Sequence, residues 1–166
     1  MSEKLALIVA PTYPYPVDGG NLVALHGYHV ALRASGFSEV HFVGFDDVGR
    51  KPNNEFEQVR LVKKPNKLSF LTILKFIFGG SLLFARYQSR SMERALQEMV
   101  KQHRYDAVLF QHGYIAQYFP VVADRLPREC VKVVSPEVLE SRAFGTKAAL
   151  AKGWLMRLLL SIESKR

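Results

Sequence analysis

Five short apolar runs punctuate the chain: Leu5–Ala10, Val40–Phe45, Val59–Val62, Ala107–Gln111 and Val131–Ser135. Each is continuous rather than alternating, the pattern of a strand covered on both faces, as in a parallel sheet held between layers of helices. Stretches with helical spacing follow the first, third, fourth and fifth runs. The pattern predicts an α/β fold, a Rossmann-like doubly wound parallel sheet with helices on both faces. The strand order 3-2-1-4-5 is expected, because it sets the first and fourth strands side by side at a topological switch point.

The first helix, Asn21–Ser35, carries Leu22, Leu25, Tyr28 and Leu32 on one stripe and stops at Gly36, which tolerates a left-handed cap. Gly49–Asn54, with Pro52 and two asparagines, reads as a surface connection. A helical region runs from Leu68 to about His103 with an interruption at Gly79-Gly80. Its second part, Ser81–His103, reads as one amphipathic helix with Leu82, Leu83, Ala85, Met92, Leu96 and Met99 as its apolar side. Gly113–Asp124 is apolar enough to be helical, with Pro120 in a first turn or at a kink. Lys147–Arg166 reads as one last helix.

Three strand ends carry candidate chemistry. After the first strand, Pro11-Thr12-Tyr13-Pro14-Tyr15-Pro16-Val17-Asp18-Gly19-Gly20 leads into the helix at Asn21. A loop of this kind delivers backbone N–H groups and the positive end of a helix dipole to one spot, and Gly19 and Gly20 let a ligand approach the backbone closely. A tight turn without a ligand is the alternative. The prolines and tyrosines of Pro11–Pro16 stiffen the loop, which suits Tyr13 to lining a cleft or to packing on the surface. After the fourth strand, Gln111-His112-Gly113-Tyr114 opens the next helix, so His112 belongs to the same edge of the sheet, either as a contact to ligand or as a structural hydrogen-bonding residue. Glu137, Glu140 and Arg142 follow the fifth strand, as site residues or as a solvated charge cluster.

The length of 166 residues suits one domain, 1–166, with a proper core. Twenty-three Lys and Arg against 15 Asp and Glu give a formal charge of +8, which attracts phosphate-bearing partners. The basic residues are spread along the chain with no aromatic-interleaved RNA motif or recognition helix, so no nucleic-acid partner is expected. Cys130 is the one cysteine. An internal disulfide is thereby excluded, and its apolar surroundings suggest a buried thiol in a cytoplasmic protein. The scattered histidines form no metal-ligand spacing, so neither a metal nor another cofactor is expected. Leu5–Ala10 is too short for a signal-peptide core and stops at Pro11. The most apolar tract, Leu68–Phe84, is flanked by Lys63, Lys64, Lys67, Arg86 and Arg90. It reads either as an interfacial segment on the inner face of the membrane or as a helix pair packed on the sheet.

The PTYPYPVDGGN turn, the His-Gly after the fourth strand and the Glu-Ser-Arg at 140–142 resemble the N-terminal domain of a retaining GT-B glycosyltransferase of the family-four type. The resemblance covers Leu5–Arg166. Its most specific element is the set Pro11, Pro14 or Pro16, Asp18, Gly19 and Gly20 ahead of the first helix, which resembles a P-x-x-P-x-D-G-G motif. After the fifth strand the chain matches at Glu140, Ser141 and Arg142, while Glu137 stands where many relatives carry histidine.

The resemblance implies transfer of a sugar from a nucleotide-sugar to a glycan or lipid-linked acceptor in cell-surface polysaccharide synthesis. The implied substrate-contacting residues are Tyr13, Gly19, Gly20, Asn21, Gly113, Tyr114, Glu140 and Arg142, with His112 beside the transferred sugar. It further implies that a C-terminal domain, absent from these residues, holds most of the nucleotide-sugar, and that this chain by itself is nearly inactive. The competing expectation is a free-standing, non-catalytic module that binds a nucleotide or glycan, or one subunit of a two-chain transferase.

Overall fold

The computed structural model describes residues 3–47, 50–65, 81–136, 140–151 and 153–165. The chain divides into two compact units. One comprises Met1–Pro65 with Ser89–Ser135, and the other Asn66–Gln88 with Pro136–Arg166.

The first unit is built on strands β1 (Leu5–Ala10), β2 (Glu39–Asp46), β3 (Gln58–Lys63), β4 (Ala107–Gln111) and β5 (Val131–Ser135), all parallel and in the order β3-β2-β1-β4-β5. The predicted fold class, strand positions and order are therefore all present. Helix α1 (Gly20–Ala34) follows β1, and Gly36 beyond it takes the left-handed conformation expected, with φ +85°. Register sets Ile8 of β1 between Phe42 and Leu109, so side chains of one parity meet on one face. Ala6, Ile8, Ala10, Val40, Phe42, Ala107 and Leu109 form that layer with Leu25 of α1. Alternation turns Val9, Val43 and Phe110 to the opposite face, where Phe110 meets Phe119 edge-on at 6.1 Å. Each fully buried Leu, Ile or Phe in these layers contributes roughly 1.5–3 kcal/mol.

Gly44 in β2 has a packing role. A Cβ there would lie 2.6 Å from the Phe42 ring and 3.0 Å from the Ala10 carbonyl. The missing side chain is what lets Phe42 lie back over its own strand.

Three expectations need correction. The single helix expected over Ser81–His103 is two, α2 (Leu82–Arg86) and α3 (Arg90–Gln102), because the Ser89 side chain caps α3 by accepting from the Met92 N–H at 3.4 Å. The region expected to be helical over Gly113–Asp124 is a 3-10 turn (Ala116–Tyr118), a four-residue helix α4 (Phe119–Val122) with Pro120 in its first turn, and a second 3-10 turn (Ala123–Arg125). β5 is apolar without being covered: Val131 is 58% exposed, and Val133 and Val134 are also open, since β5 is the outermost strand. Cys130, just ahead of it, is buried, and burial pushes its thiol pKa up.

In the second unit α5 (Glu140–Leu150) packs against α6 (Trp154–Ser164). The one tail helix expected from Lys147 is thus two, since α5 ends at Leu150 and Gly153 is the extended N-cap of α6. Glu163, buried near the end of α6, receives the Ser81 hydroxyl and, at 3.2 Å, the Leu83 N–H, so a carboxylate sits at the positive end of α2. The tract at residues 68–84 lies mostly outside the described residues. Among the described residues no helix is long and apolar enough to cross a membrane.

Candidate functional site

β1 leaves the sheet at Ala10 into a loop that is fixed on both sides. Tyr13 turns inward, with its ring 5.3 Å from Phe42 and nearly perpendicular to it. Its hydroxyl donates to Asn53 Oδ1 at 2.6 Å and accepts the Asn53 N–H at 3.1 Å. Burial raises the pKa of that phenol. Tyr13 is wholly buried, so the expectation that it lines a cleft is corrected: the ring serves the core. From the other side Arg50 donates to the Pro16 carbonyl at 2.7 Å and pairs with Asp18.

Held this way, the loop presents Gly19 as an extended N-cap. The Leu22 and Val23 N–H groups both bond the Gly19 carbonyl at 3.0 Å, so the N–H groups of Gly20 and Asn21 precede the first intrahelical bond. No side chain among the described residues caps this helix, and no acidic residue stands in its first turn. Gly20 and Asn21 are exposed, and a Cβ on Gly20 would meet nothing within 4 Å.

The end of β4 is joined directly to this point. Gln111, fully buried, donates from Nε2 to the Asn21 carbonyl at 3.1 Å. The next residue, His112, has φ +72°, a left-handed conformation that is costly for a residue with a side chain. Its N–H donates to the Ser135 carbonyl at 2.9 Å, and its own carbonyl accepts from Ile115 and Ala116. The imidazole stacks on Tyr114 at 5.1 Å, nearly parallel, and is 9% exposed. Gly113 beside it has open space where a Cβ would be. Tyr28 of α1 reaches the end of β5 through its hydroxyl to Ser135 Oγ.

The carboxyl edge of β1 and β4 thus gathers Gly19, Gly20, Asn21, His112, Gly113 and Tyr114. α1 covers one face of the sheet and α4 the other, so the two strands are neighbours whose following helices diverge, the arrangement that opens a crevice. Glu140 and Arg142 begin α5 in the second unit rather than in this one, and Glu137 lies outside the described residues. The sequence reading did not single out Gln111 as a site residue, nor Asn53 or Arg50. Asn53 and Arg50 meet the loop from 32 to 40 residues away, and no local pattern signals such partners.

Chemically, exposed first-turn N–H groups and a positive dipole suit phosphate oxygens, and an imidazole on a strained strand end suits a hydroxylated ligand. Among the described residues no three His, Cys, Asp or Glu side chains are grouped to hold a metal ion. An open groove of about 510 Å³ lies at the opposite edge of the sheet, lined by Lys101, His103, Arg104, Arg125 and Glu129. It is wide open, Arg104 is already paired with Glu129, and it lies at the carboxyl end of α3, where the dipole disfavours anions. The carboxyl edge is therefore the better candidate. No protein-family model matches the chain, and no curated protein matches it.

Proposed function

We propose that this chain is the acceptor-side, Rossmann-like domain of a retaining glycosyltransferase that moves a sugar from a nucleotide-sugar to a glycan or lipid-linked acceptor. The observation that carries this reading is the Gln111–Asn21 hydrogen bond at the switch point. It joins the uncapped start of α1 to the strained His112 end of β4, which supports assigning phosphate to the one and sugar to the other. In this reading Gly20 and Asn21 offer N–H groups to a phosphate, the sugar lies over Gly113 against the edge of the stacked and largely buried His112 and Tyr114, and a second, donor-binding domain holds most of the nucleotide.

The reading extends to the membrane. In the second unit Trp154 is 76% exposed, with Leu150 and Leu158 open near it on the α5–α6 pair, and Lys147 and Arg157 are exposed basic neighbours. An apolar patch with an aromatic ring and basic neighbours fits the interface of an anionic bilayer. Retention by anionic vesicles at low salt and release at high salt is the expected result.

The deciding experiment is calorimetric titration of nucleoside diphosphates and nucleotide-sugars against this chain, alone and joined to a donor-binding domain. Weak diphosphate binding by the chain alone, strengthened in the joined form with sugar transfer, is expected. Binding by the chain alone with no transfer in any joined form would point instead to a non-catalytic binding module. Absence of binding in both forms overturns the reading.

A further inference from the structure

Beside the rim, three polar rings meet at one oxygen. Tyr15, in the loop between β1 and α1, places its hydroxyl 2.9 Å from His26 Nδ1 and 3.2 Å from His29 Nδ1, and the two histidines are one turn apart on α1. His29 is 5% exposed, its ring is stacked on Phe56 at 4.4 Å, and its Nε2 is buried with no hydrogen-bond partner among the described residues. His26 is half-buried.

A phenol has one proton, so it uses its full capacity when it donates to one imidazole and accepts from the other. A proton on His29 Nε2 would be a buried donor without an acceptor, the rarer and costlier orphan, whereas a bare lone pair there faces apolar neighbours at less cost. That difference favours the proton on His29 Nδ1. The chain of bonds then has one direction: His29 Nδ1–H to Tyr15, Tyr15 O–H to His26 Nδ1, and His26 Nε2–H outward.

We propose that Tyr15, His26 and His29 form a proton-sensitive latch that holds the loop ahead of Gly19 and Gly20 against α1, and that protonation of His26 opens it. A proton on His26 Nδ1 turns the terminal acceptor into a donor. Tyr15 then loses its acceptor: it accepts from both imidazoles and leaves its own proton unpaired, or donates to His29 and forces the His29 proton onto the buried Nε2, or leaves, and each costs the closed loop a hydrogen bond. The groups facing the latch are Tyr13 from the same loop, Phe56 from the connection between β2 and β3, Glu55, whose negative charge favours protonated imidazole, and Arg33, which opposes it. Burial lowers the pKa of His29 and raises that of Tyr15 to about 12.

The test is hydrogen exchange of the amides of residues 15–21 in the full chain, corrected for intrinsic rates. It is paired with imidazole nitrogen spectroscopy from about pH 7.5 to about pH 5.5, the range in which histidines ordinarily titrate. Expected are an Nδ1–H tautomer at His29 and Nε2–H at His26 at the upper pH, and loop exchange roughly tenfold faster at the lower. Tyr15→Phe should exchange fast at both pH values. His26→Asn, whose amide oxygen can accept without being protonated, should stay slow at both. Wild-type exchange that changes less than about twofold, a His26→Asn variant that opens with acid as wild type does, or the reverse tautomers would each overturn the latch. The readout contains no ligand, so it fails or succeeds separately from the transferase reading.

Discussion

The two edges of the sheet hold similar residues and use them in opposite ways. At the amino edge, His41 at the start of β2 is buried between the Tyr105 hydroxyl, 2.9 Å from Nδ1, and Glu39, 3.2 Å from Nε2. Asp106 accepts the Leu5 N–H from its side chain and donates its own N–H to the Leu5 carbonyl. Side chains there satisfy one another and close the edge. At the carboxyl edge, His112 sits on a left-handed backbone and α1 begins at Gly19 without a side-chain cap. The difference separates an edge closed by its own side chains from one with an uncapped helix start and a strained backbone, and it is by this contrast, rather than by the presence of histidine, that a site is recognised.

The largest expected effect lies beneath both edges. Gly44→Ala forces a methyl into the Phe42 ring and the Ala10 carbonyl and should cost about 1–3 kcal/mol, read as a lower urea midpoint with an unchanged slope. Next comes Tyr105→Phe, which strands His41 Nδ1 in the interior. It should cost about 1–2 kcal/mol in the same measurement and leave diphosphate binding untouched. If it weakens binding as much as a rim variant does, the division between the edges is wrong.

Acidity gives a third comparison. Desolvation, reinforced by His103, holds the pKa of His41 below its ordinary 6.5 despite Glu39. Because the folded pKa is the lower one, the unfolded chain binds more protons in the interval between the two. His41 therefore contributes fully above pH 6.5, and that contribution is lost as the pH falls from there toward the folded value. Urea midpoints should drop on acidification, and His41→Gln should flatten the curve; an unflattened curve would show that His41 is not the source. At the carboxyl edge, His112→Gly should be more stable than His112→Ala by about 1 kcal/mol, since glycine relieves the left-handed strain. Equal stability of the two would remove the argument from strain. The smallest stability change, within about 0.5 kcal/mol, is expected for Gly20→Ala and Gly113→Ala, where a methyl meets nothing. If backbone approach matters, these two should nevertheless weaken diphosphate binding about tenfold or more, and unchanged affinity would sink that role.

Much of the scaffold was legible because local and global signals agree. Continuous apolar runs gave the strands their places, and Gly36 marked the end of α1. What was not legible depends on partners distant in the chain. Ser81 and Leu83 meet Glu163 some 80 residues away, and Tyr13 is turned inward by Asn53, so neither local hydrophobicity nor loop composition could assign their roles. The break between α2 and α3 did carry a local signal, the Ser89 cap, but the apolar stripe on either side concealed it. Of the candidate site, the glycines and His112 could be named from their positions after strands, whereas the Gln111–Asn21 link that unites them could not. Valines on β5 misled, because the same letters serve a covered strand and an outermost one.

The bond from His112 to the Ser135 carbonyl makes one peptide answerable to two masters. Ser135 is the last residue of the first unit, the point from which the polypeptide departs toward Pro136 and the second. The hydrogen bond that seats the backbone of His112 therefore also fixes the last carbonyl before the polypeptide leaves the sheet.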